Sequence, residues 1–337
     1  MLKRLVLGII ILSSAITGCS DGSGSAPSVS EVTATSPPQP ASPPPPVPPV
    51  TTATNVESET DISYGNGLVL GSSLTLLLDI YQPDDACVEP RPFVVGIHGG
   101  GFVGGSKSDG SWVANMDAIV AEGFAGISID YRLVGDRPLV SAEFQPVLDD
   151  LNAEADRLGL TDRQREVLNA AVAAIEDTVA ALKWARSNAQ RRCLDMDRFA
   201  IWGSSAGAIT ALHVAHGLDE YFISRPEPLV VIDYWGRLLL DGLVDADGPP
   251  FMIIHGTEDN SQVYEETAVV LAAEAEAEGL PFSFYTIEGG PHGFRNVDPN
   301  FVQINGEDAR DVTLDFISDH LLGQTPIYEV QTINTDG

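Results

Sequence analysis

Gly203-Ser204-Ser205-Ala206-Gly207 fits G-x-S-x-G with Ser205 at its centre. The apolar run from Phe199 to Trp202 reads as a buried strand, which places Ser205 on a strand-to-helix turn. On such a turn a serine is held in a strained backbone conformation, its hydroxyl projects above the sheet, and flanking glycines leave the approach open. In a chain with 32 glycines the same five residues also fit an ordinary turn, so the reading depends on partners elsewhere. A serine hydroxyl is a poor nucleophile until a base removes its proton. His292, shortly after the apolar run Phe282 to Ile287, can take that proton and return it to a leaving group. A carboxylate is needed to hold the imidazole in one tautomer, and Glu258 and Asp259 both follow the run Phe251 to His255. His98, Gly99, Gly100, Gly101 and Phe102 form a glycine run after another strand-like stretch. Backbone N–H groups there can approach a tetrahedral oxyanion, as acyl transfer requires. The run lacks both G-x-G-x-x-G and a Lys-Ser/Thr ending, so it does not read as a phosphate loop. His98 and His255 read as structural residues of their loops, and His213 and His216 as helix surface or core.

The elements that must position these residues alternate. Gly67 to Leu70 and Ser73 to Tyr81 predict a hairpin about Gly71-Ser72. Buried strands are expected at Phe93–His98, Gly126–Asp130, Phe199–Trp202, Leu229–Tyr234, Phe251–His255 and Phe282–Ile287. Between them fall helices at about Trp112–Glu122, from Asp162 onward, from Ser205 to His216, at Gln262–Gly279 and at about Glu307–Leu322. Thr161 and Gln164 make a capping box that starts the second helix at Asp162. Leu168, Ala171, Val172, Ile175, Val179 and Leu182 give that helix one buried face. Strand alternating with helix predicts an α/β domain, a mostly parallel sheet with helices on both faces. Leu139 to Leu160 exceeds what a connection needs and reads as a helical insertion, either a partial lid or a surface helix without such a role.

The 337 residues carry 18 Lys plus Arg against 48 Asp plus Glu, a net charge of −30. Nucleic acid and anionic lipid surfaces are bound through basic patches, so this balance argues against both as partners. Lys3 and Arg4, the apolar run Leu5 to Leu12 and the small residues after it form an export signal over 1–18. Ile16-Thr17-Gly18-Cys19 resembles a bacterial lipoprotein processing site. By that resemblance Cys19 becomes the lipidated first residue, anchored to a membrane, and Ser20 after it favours the outer membrane. Residues 19–60 are rich in Pro, Ser and Thr and predict a disordered tether. The catalytic domain is expected over 61–325, with the insertion at 139–160, followed by a loose tail over 326–337.

His98-Gly99-Gly100-Gly101-Phe102, Asp130 to Leu133, Gly203 to Gly207, His255 to Asp259 and Pro291 to Phe294 together resemble the α/β-hydrolase carboxylesterases. The branch it most resembles is the hormone-sensitive-lipase and feruloyl/acetylxylan esterase group, and the resemblance covers about residues 65–322. The resemblance implies an eight-stranded, doubly wound, mostly parallel sheet and the chain order Ser205, Asp259, His292 for nucleophile, acid and base. It prefers Asp259 over Glu258 and assigns the oxyanion donors to Gly100, Gly101 and Ala206. It implies hydrolysis of a small-molecule carboxylic ester without a cofactor. A peptidase of the same fold and a non-catalytic binder are the alternatives. Val134-Gly135-Asp136 departs from the family's usual Ala-Pro-Glu, which bears on substrate range. In the family's strand order the strands after Cys87 and Cys193 are neighbours, and an exported chain permits oxidation, so a Cys87–Cys193 disulfide is expected. No His/Cys/carboxylate group has metal-ligand spacing, so no metal is expected.

Overall fold

The structure is a computed structural model and describes residues 55–294 and 302–334. The signal at 1–18, Cys19 and most of the tether lie outside the described residues. The chain runs β1 (Val56–Val69), β2 (Ser72–Pro83), β3 (Arg91–Ile97), α1 (Gly110–Ala121) and β4 (Ala125–Ile129). It continues through α2 (Gln145–Leu158), α3 (Asp162–Arg192), β5 (Leu194–Ser204), α4 (Ala206–His216), β6 (Val230–Tyr234) and β7 (Phe251–Gly256). Then come α5 (Ala268–Glu278), β8 (Phe282–Glu288), the two-residue strands β9 (Gln303–Ile304) and β10 (Glu307–Asp308), α6 (Ala309–Leu321) and β11 (Val330–Asn334).

Nine strands form one sheet in the order β1-β2-β4-β3-β5-β6-β7-β8-β11. Only β2 runs against its neighbours, and every pairing from β4 to β11 is parallel. Alternate residues of a strand face opposite sides. Accordingly Val94, Ala200, Trp202 and Ile232 pack with α1 and α6 on one face. Val95, Phe199, Ile201 and Val231 pack with α2, α3, α4 and α5 on the other. Both faces of the parallel strands are therefore covered, which is why these strands read as continuous apolar runs.

The sheet differs from the expected eight strands at its ends. β1 begins at Val56, inside the stretch read as tether, and pairs with β2 as far as Val56 opposite Pro83. Its first residues are exposed, so they carry no apolar pattern. Residues of the expected loose tail form β11, which pairs with β8 from Val330 opposite Phe284 to Asn334 opposite Glu288. That strand is held by its backbone and alternates between exposed and half-buried positions. Helix α5 starts at Ala268 rather than at Gln262: Tyr264–Glu266 form a 3-10 turn, and Thr267, with φ −129° and ψ −80°, breaks it from the helix.

Thr161 caps α3 as expected: its side chain accepts from the Gln164 N–H, and Gln164 reaches back to the Thr161 N–H. The insertion folds as α2, whose Val147, Leu148, Leu151 and Ala155 are buried in the core shared with α3. Arg132 joins three elements. Its Nη1 donates to Leu68 O at 2.8 Å and Leu139 O at 2.7 Å, Nη2 to Glu176 at 2.8 Å and Nε to Asp177 at 2.9 Å.

Cys87 and Cys193 form the expected disulfide, with Cα atoms 5.8 Å apart. It lies beside the leading ends of β3 and β5, where Arg91 N–H donates to Cys193 O and Phe93 stacks on Phe199 at 5.1 Å. The bond closes 106 residues of chain, a length at which a cross-link restricts the unfolded state strongly. Replacing both cysteines by serine should lower the unfolding free energy by about 2–4 kcal/mol in urea titrations. An unchanged midpoint would show that the bond adds nothing to the packing already there.

Candidate active site

Ser205 stands between β5 and α4 with φ 51° and ψ −117°, a left-handed conformation that is strained for a residue with a Cβ. The turn closes because β5, α4 and β3 nearly touch. A Cβ on Gly203 would sit 2.3 Å from Gly207 C, and one on Gly207 would sit 2.0 Å from Ile97 O. The pattern G-x-S-x-G is thus a steric requirement here. Ser205 N–H donates to Tyr234 O at 2.8 Å, which ties the turn to the end of β6.

Ser205 Oγ lies 2.9 Å from His292 Nε2, and His292 Nδ1 lies 2.7 Å from Asp259 Oδ2. With Nδ1 donating to the carboxylate, Nε2 is left to accept from the serine hydroxyl. Asp259 Oδ1 accepts from the Ser261 and Gln262 N–H groups at 2.7 and 2.8 Å. Burial alone would raise its pKa, but hydrogen bonds from His255 and His292 and the backbone hold it well below the usual carboxylate range. Asp259 is buried and Glu258 exposed, which separates two carboxylates that sequence spacing leaves equivalent.

The glycine run lies against the serine: a Cβ on Gly99 would be 3.4 Å from Ser205 Cβ. Gly100 and Gly101 have φ of 111° and 62°, and Gly100 O accepts from the Val103 and Gly104 N–H groups. Ala206 opens α4, where first-turn amides have no partner within the helix. All six residues assigned to nucleophile, base, acid and donors therefore stand at the C-terminal edge of the sheet. His98 is structural, as expected. Its Nδ1 donates to Gly99 O at 2.7 Å and its ring stacks on Tyr131 at 4.3 Å.

Two contacts were not expected. His255 Nε2 is 2.8 Å from Gln262 O and also 3.2 Å from Asp259 Oδ2, so it touches the acid as well as its loop. Its position four residues before Asp259, in one tight turn, is the signal. Trp235, after β6, meets the His292 ring edge-on at 6.3 Å and Phe294 at 5.1 Å. Gly236 N–H donates to buried Asp233 and fixes that turn. Nothing in the local sequence marks Trp235, because only the fold brings it to His292.

The sheet order, the strained serine turn and the helices on both faces are those of the α/β-hydrolase fold, and the chain has that fold. A family model described as alpha/beta hydrolase fold matches residues 169–235, and one described as BD-FAE matches residues 78–160. Esterase LipC of Mycobacterium tuberculosis is 20% identical over 249 residues, 68% of this chain and 60% of that protein. Non-reducing polyketide synthase pkbA of Emericella nidulans is 25% identical over 228 residues, 62% of this chain and 8% of that protein. The chain thus spans less than two thirds of either relative. Thermogutta terrifontis esterase 2, solved phosphorylated by paraoxon, superposes with a TM-score of 0.56 at 21% identity, covering 79% of this chain and 94% of that one. Esterase B from Lactobacillus rhamnosis, solved with a tributyrin phosphonate, superposes at 0.54 and 20% identity, covering 81% and 88%.

His213 and His216 are core residues of α4. His213 Nδ1 donates to Ile209 O at 2.8 Å, and its Nε2 accepts from Leu239 N–H at 3.1 Å, holding the segment after Trp235. Burial lowers its pKa from 6.5 to about 4. The unfolded chain therefore binds more protons between these values, and stability falls as pH drops from 6.5 toward 4. His213→Gln should remove about 2 kcal/mol of the stability difference between pH 7 and pH 5, measured by urea unfolding at each pH. Parallel losses in both proteins would refute a neutral, accepting His213.

Proposed function

We propose that the protein is a serine carboxylic-ester hydrolase that works through an acyl-enzyme. The observation that carries this reading is Ser205 Oγ, on a strained turn, 2.9 Å from His292 Nε2. In this reading Ser205 Oγ attacks the ester carbonyl as its proton passes to His292 Nε2. Asp259 holds Nδ1–H and stabilises the imidazolium. The tetrahedral oxyanion takes hydrogen bonds from the N–H groups of Gly100, Gly101 and Ala206. Collapse breaks the ester C–O bond, and His292 gives its proton to the leaving alcohol. Water, deprotonated by His292, then attacks the acyl-enzyme and releases the acid and Ser205. The activity named for the similar esterases agrees with this reading. We further propose that Cys19 carries the lipid anchor, with the outer membrane favoured, and that residues 19–54 tether the domain to it.

Ser205→Ala should lower hydrolysis of p-nitrophenyl acetate by roughly 10⁴-fold or more, and should abolish labelling by a fluorophosphonate. Full activity in that variant would refute the assignment. In Gly100→Ala the added Cβ would lie 2.1 Å from Gly104 O, so the turn must open. That variant should lose roughly 100-fold in kcat while still reacting with the fluorophosphonate. A change in KM alone would remove this turn from the oxyanion site.

A further inference from the structure

A concavity lies on the same edge of the sheet as the candidate active site. β2 runs antiparallel to β4, with Leu78 opposite Ile129, so the start of β2 and the turn before it extend past the C-terminal end of β4. There a cleft of about 540 Å³ is lined by Leu70, Val103, Arg137, Leu139, Arg163 and Glu166, with other residues. Val103 in its wall follows the glycine turn directly and is bonded to it. Val103 N–H donates to Gly100 O at 3.0 Å, and Val134 N–H donates to Phe102 O at 2.8 Å.

The lining combines two chemistries. Leu70, Val103 and Leu139 are 57%, 53% and 45% exposed, an uncommon concentration of large apolar side chains around one concavity. Arg163 is paired with Glu166 at 3.0 Å. Arg137 is different: among the described residues its guanidinium meets neither a carboxylate nor any hydrogen-bond acceptor. Most described cations of this chain are held by a carboxylate, as Arg91 is by Asp85 and Arg225 by Asp219. The base of Arg137 is fixed. Its backbone is left-handed at φ 51° and ψ 61°, its N–H donates to Val134 O, and its carbonyl accepts from Leu70 N–H. A non-glycine residue kept in this conformation presents one side chain from a rigid support.

We propose that this cleft is a substrate subsite that takes the far arm of the ester, an apolar chain ending in a carboxylate, with Arg137 as the residue that selects the acid. The proposal rests on the esterase reading above. Apolar walls with one charged group are how small-molecule sites fix orientation, and a guanidinium binds a carboxylate through paired N–H donors. The surrounding charge of −30 repels anions, so a preference for an acid-ended substrate requires a local cation.

The test compares p-nitrophenyl hexanoate with the mono-p-nitrophenyl ester of adipic acid, equal in chain length but ending in methyl or carboxylate. The native protein should show a KM about 5- to 10-fold lower for the acid-ended ester, and high salt should reduce the difference. Arg137→Gln should erase it. Monoethyl adipate titrated calorimetrically into Ser205→Ala should bind, and should bind about 5- to 10-fold more weakly to Ser205→Ala carrying Arg137→Gln. This binding arm needs no turnover, so absence of all ester hydrolysis would sink the esterase reading while the titration still judges the cleft. The subsite is overturned if Arg137→Gln leaves the KM ratio or the titration unchanged. It is equally overturned if the native protein prefers the methyl-ended ester, or gains activity only on aggregated long-chain esters, which would mark a lipid-facing surface instead.

Discussion

The edge of the sheet that carries the site depends on one buried cation. Arg132 is 1% exposed, and taking a guanidinium out of water costs several kcal/mol unless its donors are satisfied. Here they are: three backbone carbonyls, from Leu68, Leu139 and Ala173, and two carboxylates, from Glu176 and Asp177, surround the planar group. Asp177 also takes the Arg132 backbone N–H at 2.8 Å. These contacts join the first hairpin, the chain leaving β4 and the middle of α3. A lysine, with three donors on one atom, cannot reach the same set.

A second constraint is steric. The serine turn works only because β3, β5 and α4 approach closely enough to exclude any side chain at positions 203 and 207. Tension in the turn is balanced by the packing around it, where α4 is buried along its whole length. His292 comes from a separate loop after β8, so its 2.9 Å contact with Ser205 depends on the sheet order β5-β6-β7-β8. Trp235 fills the space behind that imidazole and Asp259 fixes its far nitrogen.

Much of this was legible in the residues. The central strands are buried on both faces and show as plain apolar runs, and Thr161 with Gln164 marks the start of α3 correctly. Chain order and strand ends point to Ser205 and His292 and narrow the acid to Glu258 or Asp259, of which the family resemblance prefers Asp259. What escaped has a common cause. β1 and β11 are edge strands held by backbone hydrogen bonds, so the acidic start of one and the polar alternation of the other carry no core signal. The partners of Arg132, the contact of His255 with Asp259, and the approach of Trp235 to His292 join segments distant in sequence or buried within one turn. Spacing also left Glu258 and Asp259 equal, and burial separates them.

The Cys87–Cys193 bond makes a covalent ring of the chain between them. The ring contains β3, the glycine turn, Arg132, Arg137 and the whole of α2 and α3. Ser205, Asp259 and His292 lie outside it, further along the chain. The molecule is thus divided at the disulfide into a ring that carries the glycine turn and Arg137 and a remainder that carries the candidate nucleophile, acid and base. A protease that cuts the backbone once between the two cysteines opens the ring without releasing either piece, so the two parts of the site stay tethered at the end of the sheet opposite the chemistry.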